Sequence, residues 1–259
     1  MSTGLLACVA LLGALSGLAA PRAARHFTAP PAPRERDPAR DHAAGTGTVP
    51  GTVPHAEDTP AVARDADKAP AVVRDGEAGP SVVRVVKAAW GASAGALVFA
   101  GLAATLGADP ALPVLLALAA VGQVLALVDL ACLRLPDPLV GTAGLVAAVG
   151  LTGVAATSGN PGHLLGAVAG AVLCFACHVL LALLPGSRLG FGDVKLAAVL
   201  GLPLGWLGGP TLALGLLLPH LLHGVVVLVL LAAGRVRRDT PLPLGPALLT
   251  GAWLAALTA

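Results

Sequence analysis

The sequence predicts an all-α, polytopic membrane protein of about eight transmembrane helices, with a disordered cytoplasmic loop after the first. Three observations predict it. Apolar residues fill 56% of the 259 positions and charged residues only 12%, against roughly 45–50% and 25% in soluble domains. The apolar residues fall in runs, several of which reach or approach the roughly 20 residues that cross a bilayer core as helix. All sixteen Lys and Arg residues fall on alternate connections between those runs. The lipid bilayer is therefore the solvent this chain is built for, and a net charge of +2 gives no sign of a nucleic-acid partner. The chain has no Ile, a single Asn (Asn160) and three Lys beside abundant Ala, Gly, Val, Leu, Pro and Arg. That composition points to a GC-rich bacterial genome.

The first run, GLLACVALLGALSGLAA at 4–20, has no basic residue before it. A secretory signal would start with one, so residues 1–20 are expected to form a first membrane helix that stays attached. Residues 21–86 differ in kind. They are rich in Pro, Ala, Arg and Asp and hold three near-repeats, PAVARDADKA, PAVVRDGEAG and PSVVRVVKAA. A stretch this polar cannot bury enough surface to offset its chain entropy, and a low-complexity loop is expected. Residues 87–259 carry the membrane core of seven helices, at about 88–106, 111–133, 138–157, 162–184, 193–208, 211–233 and 244–258. Between them stand the turn signals GADP, LPDP, SGNPG, LPGS and GGP. Asp137 before Pro138 reads as an N-cap followed by Pro at N1.

The placement of charge orients the helices. Ten basic residues lie between helices one and two, Arg134 between three and four, Arg188 and Lys195 at the start of six, and Arg235, Arg237 and Arg238 between seven and eight. The alternate connections, near Gly107, Gly159 and Gly209, have none. The Lys/Arg bias of short loops marks the cytoplasmic side, which places both termini outside.

Ionisable residues within a membrane are functional candidates, and three carboxylates lie near membrane helices: Asp129, Asp137 and Asp193. Asp129 precedes Pro136 by seven residues, about 10 Å at 1.5 Å per helical residue, which is deep for a cap. Asp193, in GFGD, has the weaker alternative of capping helix six. The topology puts Asp129 and Asp193 on the same, cytoplasmic side. Two carboxylates from different helices can share one proton, because like charges a few Å apart cannot both ionise cheaply. The ionised member then takes a proton from water and the protonated member donates to a peptide carbonyl. Gly190 and Gly192 would let a substrate strand approach, or the backbone turn sharply.

These segments resemble those of the type IV prepilin peptidases, membrane aspartic proteases of the GxGD kind. GFGD at 190–193, continuing VKLAAVLGLPLGW, is similar to that family's second motif, and VDLACLRLPDPLV at 128–140 to its first aspartate segment. The resemblance covers about residues 88–215, and the rest by topology alone. It implies an integral membrane endopeptidase that removes a short basic leader from prepilin or pilin-like precursors of type IV pilus or secretion assemblies. Cleavage would occur at the cytoplasmic face of the bacterial inner membrane. Carried over by position, Asp129 and Asp193 are the catalytic pair, with Gly190 and Gly192 completing the second motif. Larger members bind zinc through two C-x-x-C pairs after helix one, and methylate the new N-terminus with S-adenosylmethionine. The 21–86 loop has no cysteine, so a short form without metal, cofactor or methyltransferase domain is expected. Helix one also lacks the family's Asn-x-x-x-x-Arg ending; GLAAPRAARH offers Arg22 and Arg25.

Other polar residues have plainer readings. Lys195 could bind a substrate carbonyl or tune the acid pair, or snorkel to headgroups. Arg134 and Arg188 read as topogenic. His178, His220 and His223 read as interhelical hydrogen-bond formers. The C-x-x-C of Cys174 and Cys177, with Cys8 and Cys132, reads as buried packing. GAVAG at 166–170 is a seam of small residues for close helix contact. Two rival functions fit the same acids. One is a small transporter using Asp129 and Asp193 as ion ligands or proton relays, with helices broken near Gly190, Gly192, Gly201 and Pro203. The other is a non-catalytic component of a secretion assembly.

Overall fold

The computed structural model describes residues 3–28, 82–187, 189–237 and 240–259. Arg188, Arg238 and the bulk of the expected loop lie outside the described residues. The described chain is helical, with no strand. In order it runs α1 (Thr3–Thr28), α2 (Val82–Leu106), α3 (Leu112–Cys132), α4 (Asp137–Ser158), α5 (Pro161–Leu183), α6 (Phe191–Leu207), α7 (Gly209–Ala232) and α8 (Gly245–Ala256). Five of these, α1, α3, α4, α5 and α7, are long and apolar enough to cross a membrane. Their outward faces are apolar as well: Leu145, Leu165, Leu183 and Leu228 are 65–74% exposed. An apolar surface of this extent suits lipid, where helices satisfy their own backbone groups. The protein is an integral membrane protein.

Two helix pairs cross with their backbones in contact, and glycine makes both possible. In α5 and α6, Gly166 faces Gly205 and Gly170 faces Gly201, so the two helices run antiparallel. A Cβ on Gly166 would lie 2.6 Å from the Gly205 carbonyl oxygen, and one on Gly201 would lie 2.5 Å from that of Gly170. In α1 and α2 the same arrangement sets Gly13 against Gly95 and Gly17 against Gly91. Lipid offers no hydrophobic drive for helices to associate, so this close van der Waals contact is what holds such pairs together. Gly166 and Gly170 thus serve as expected; Ala169, between them, faces outward.

The buried side chains form two main layers. One, around Phe99, Leu112, Leu151 and Trp206, lies toward the ends where α3 and α5 begin. The other, around Leu125, Val140, Leu196 and Leu248, lies one turn inside the opposite rim. His163 Nδ1–H donates at 3.0 Å to the Trp206 carbonyl at the first end, which ties the start of α5 to the end of α6.

The departures from expectation are local. α1 passes through Pro21 to Thr28 and does not stop at 20, because Ala20 and Ala24, one turn apart, are both buried in the bundle. α2 starts at Val82, so the third near-repeat is its opening turns and not loop. The expected loop therefore loses residues 21–28 and 82–86 to helix. α6 is one uninterrupted helix through Gly201 and Pro203, and the break that a transporter reading relies on is absent there. His178 and His220 bond within their own helices, to the carbonyls of Cys174 (2.8 Å) and Leu216 (2.9 Å). They do not bond to one another; their rings lie 5.2 Å apart. Of the cysteines, Cys174 is buried and Cys177 half-buried, whereas Cys8 and Cys132 are exposed, and all four are free.

Candidate active site

One rim of the bundle gathers the end of α3 and the starts of α4, α6 and α8. Asp129, in the last turn of α3, is only 4% exposed. One helical turn later Leu133 takes a left-handed conformation (φ 52°), and its N–H bonds back to the Asp129 carbonyl at 2.8 Å. That conformation costs an L-residue with a Cβ about 1–2 kcal/mol. It turns the chain sharply out of α3 into the Arg134–Pro136 link, so Asp129 stays below the rim.

The buried carboxylate of Asp129 has a specific partner. The backbone N–H of Gly245, at the start of α8, donates to its Oδ2 at 2.9 Å. The first N–H groups of a helix have no partner within it and carry the positive end of the helix dipole. α8 therefore offers Asp129 what a buried carboxylate lacks. The approach is tight: a Cβ on Gly245 would lie 2.7 Å from Oδ2 and 3.2 Å from Cγ. Gly245→Ala is accordingly expected to push the Asp129 carboxyl out of place while α8 stays folded. A displacement of about 1 Å can cost on the order of 100-fold in rate. The check is cleavage rate beside thermal unfolding in detergent, which should fall and hold, respectively.

Asp193 lies across the site in the first turn of α6. The helix N-cap is Gly190 and not Asp193, so Asp193 stands three residues inside and reaches back to the Gly190 N–H. This is one half of a capping box. Its other carboxylate oxygen, Oδ1, is buried and has no hydrogen-bond partner. The charge of Asp129 acts on Asp193, and the two acids lie at the same rim, in the last turn of α3 and the first turn of α6. Gly192 has a packing reason of its own, since a Cβ there would meet the Leu135 Cβ at 3.0 Å. Gly190 is extended (φ −71°, ψ 142°), and any residue could adopt that backbone.

Asp137 is not the N-cap of α4. Pro136 is, because its carbonyl accepts the N–H groups of Leu139 and Val140. The Asp137 carboxylate instead pairs with Lys195 Nζ at 2.7 Å, and the ammonium also lies 5.2 Å above the Phe191 ring. The pair clamps the start of α6 to the start of α4, two residues from Asp193. It is open to solvent, with side chains 38% (Lys195) and 71% (Asp137) exposed, and such pairs contribute only about 0–1 kcal/mol. Asp137→Asn is therefore expected to lower cleavage less than about tenfold and to make the remaining rate less sensitive to salt. A rate series from low to high salt reads both.

Among the described residues no group of three or more His, Cys, Asp or Glu is placed to hold a metal ion. Sequence reasoning missed Gly245. Its signal, a Gly-Pro at a helix start, was visible, but its partner lies 116 residues away.

Residues 116–234 match the type IV leader peptidase family. This segment is similar to that family. Asp129, Asp137, Gly190, Gly192, Asp193 and Lys195 all fall inside the leader peptidase match, which starts later and ends later than the 88–215 expected; α1, α2 and α8 fall outside it. Three similar relatives carry the name prepilin leader peptidase/N-methyltransferase. Those of Stutzerimonas stutzeri and Pseudomonas aeruginosa are 36% identical over 93 residues and 35% over 95, each 36% of this chain and 31% and 32% of theirs. That of Pseudomonas putida is 39% identical over 101 residues, 38% of this chain and 33% of its own. The chain spans about a third of the length of these curated relatives. No solved structure matches it significantly.

Proposed function

We propose that this protein is an aspartic endopeptidase of the bacterial cytoplasmic membrane, cleaving the basic leader from prepilin or pilin-like precursors. Asp129 and Asp193 are its catalytic pair. The observation that carries this reading is two carboxylates from separate helices at one rim, Asp129 buried and Asp193 half-buried, electrostatically in reach of each other, inside a segment that matches the leader peptidase family. Together they hold one proton. The ionised member takes a proton from a water molecule, which attacks the scissile carbonyl carbon; the protonated member donates to the carbonyl oxygen. Collapse of the tetrahedral adduct breaks the C–N bond and returns a proton to the amine that leaves. The unpartnered Asp193 Oδ1 suits the shared proton, and the Gly245 N–H suits the charge on Asp129.

The rim that holds the pair also holds Arg134, Lys195, Arg235 and Arg237 at its helix ends. By the Lys/Arg bias of short loops that rim faces the cytoplasm. A basic leader would be presented on that side, with its apolar helix in the bilayer. The untethered leader and the membrane helix then meet the pair from opposite directions. Lys195, held by Asp137, belongs to the clamp that positions Asp193 and not to the substrate contacts.

The test is co-expression with a precursor that carries a short basic leader before an apolar helix, scored by mass. The expected product has lost the leader in one cut. A precursor that keeps its leader beside abundant, folded wild-type protein overturns the reading.

A further inference from the structure

A cavity of about 370 Å³ starts one helical turn below Asp129 and runs away from it. Its walls come from α2, α3, α6 and α8. Ala126, one turn below Asp129, and Pro246, next to Gly245, form its upper end; Leu118, Leu204 and Leu249 line its middle. Along α3 it extends from Ala126 to Leu115, eleven residues or about 16 Å of helix, half of a hydrocarbon core. At Gly122 the Leu249 side chain of α8 comes close to α3, where an added Cβ would lie 2.9 Å from it. On the outer side it is flanked by exposed Leu97 of α2 and exposed Thr250 of α8, so it opens sideways between those helices. Its lining is almost wholly apolar.

Resting on the peptidase reading above, we propose that this groove seats one face of an apolar helical segment of the substrate, the segment that adjoins the scissile bond. Continuity carries the assignment. A polypeptide whose amide lies against Asp129 has Ala126 and Pro246 immediately beside it, and the groove is the apolar path that leads on from there. A chain that follows it leaves water within one helical turn, so its backbone must bond internally, and in lipid that means a helix. The volume matches the side chains of one helix face and not a whole helix, which agrees with the sideways opening. Two of the four walls, α2 and α8, lie outside the matched segment 116–234. Selection among precursors would therefore be set partly by residues apart from the acid motifs.

The experiment places the photocrosslinking residue p-benzoylphenylalanine at Leu97 of the full chain and, as a control, at Leu145 on α4. Each is expressed with a precursor bearing a basic leader and an apolar helix. An adduct between the Leu97 site and the apolar segment, absent from the Leu145 site, is expected. Adducts with lipid alone, or with a second copy of this chain alone, overturn the proposal. Leader removal scored in the same cells separates the two claims: processing without an adduct sinks the groove and leaves the peptidase reading standing, whereas no processing sinks that reading. A second variant, Ala119→Phe, fills the groove away from the acids. It is expected to raise KM for the full precursor about tenfold at nearly unchanged kcat, the mark of lost ground-state binding. Cleavage of a short peptide that lacks the apolar segment should not change. Equal effects on both substrates overturn the assignment.

Discussion

Asp129→Asn and Asp193→Asn are each expected to lower leader removal to background, a fall of about 1,000-fold or more, while the protein still folds and inserts. The exchange keeps volume and shape and removes one property, the ability to hold and pass a proton. General acid–base catalysis by one group is worth roughly 100- to 10,000-fold, and a pair that shares one proton has no spare member. Asn at 129 can still accept the Gly245 N–H bond through its amide oxygen, so the anchor of α8 survives and stability should not drop. Asn at 193 likewise keeps an acceptor for the Gly190 N–H. The pair also fixes the form of the pH dependence. Activity needs one carboxyl ionised and one protonated, so the rate should fall on both sides of a maximum, and the two limbs belong to the pair. Normal processing by either variant, scored by mass in a time course, would remove the mechanism.

Gly205→Leu is expected to have the largest effect on the fold. The position has no room for any side chain, because a Cβ there would overlap the Gly166 carbonyl oxygen and touch Gly170 Cα at 3.0 Å. Both obstacles are backbone, which cannot rotate aside as a side chain can. The two helices must move apart along the Gly166–Gly205 and Gly170–Gly201 crossing, and that forfeits the contact that holds them in lipid. Overpacking usually costs about 1–3 kcal/mol and at times more, against a total stability of roughly 5–15 kcal/mol. Loss of the backbone crossing puts this variant at or above the upper figure. Unfolding in detergent should shift strongly, and protease should cut between α5 and α6. Gly153→Leu on α4, where nothing lies within 4 Å of the Cβ, serves as the comparison and should be silent.

Much of this architecture was legible in the sequence. Apolar runs and Gly/Pro punctuation place the core helices to within a few residues, since in lipid each span must satisfy its own backbone. The errors fall where packing overrides local signals. Pro21 reads as an end, yet Ala20 and Ala24 carry α1 past it. PSVVRVVKAA reads as the last of three repeats, yet its alternate ending in VVK is apolar enough to start α2. Asp137 reads as an N-cap because it precedes Pro138, but the Pro136 carbonyl takes that position and frees the carboxylate for Lys195. Asp129 and Asp193 were legible because an acid in an apolar run has few ordinary uses. Gly245 and the groove were not. Each depends on which helix lies beside which, and no periodicity encodes that.

Asp129 is steadied by an amide from the far end of the chain, beyond the stretch that bears the recognisable motifs. A minimal catalyst cut to residues 116–234 would keep both acids and lose the donor. Transplants, fusions and shortened versions of this protein should therefore be drawn to include α8, whatever their sequence signature suggests is dispensable.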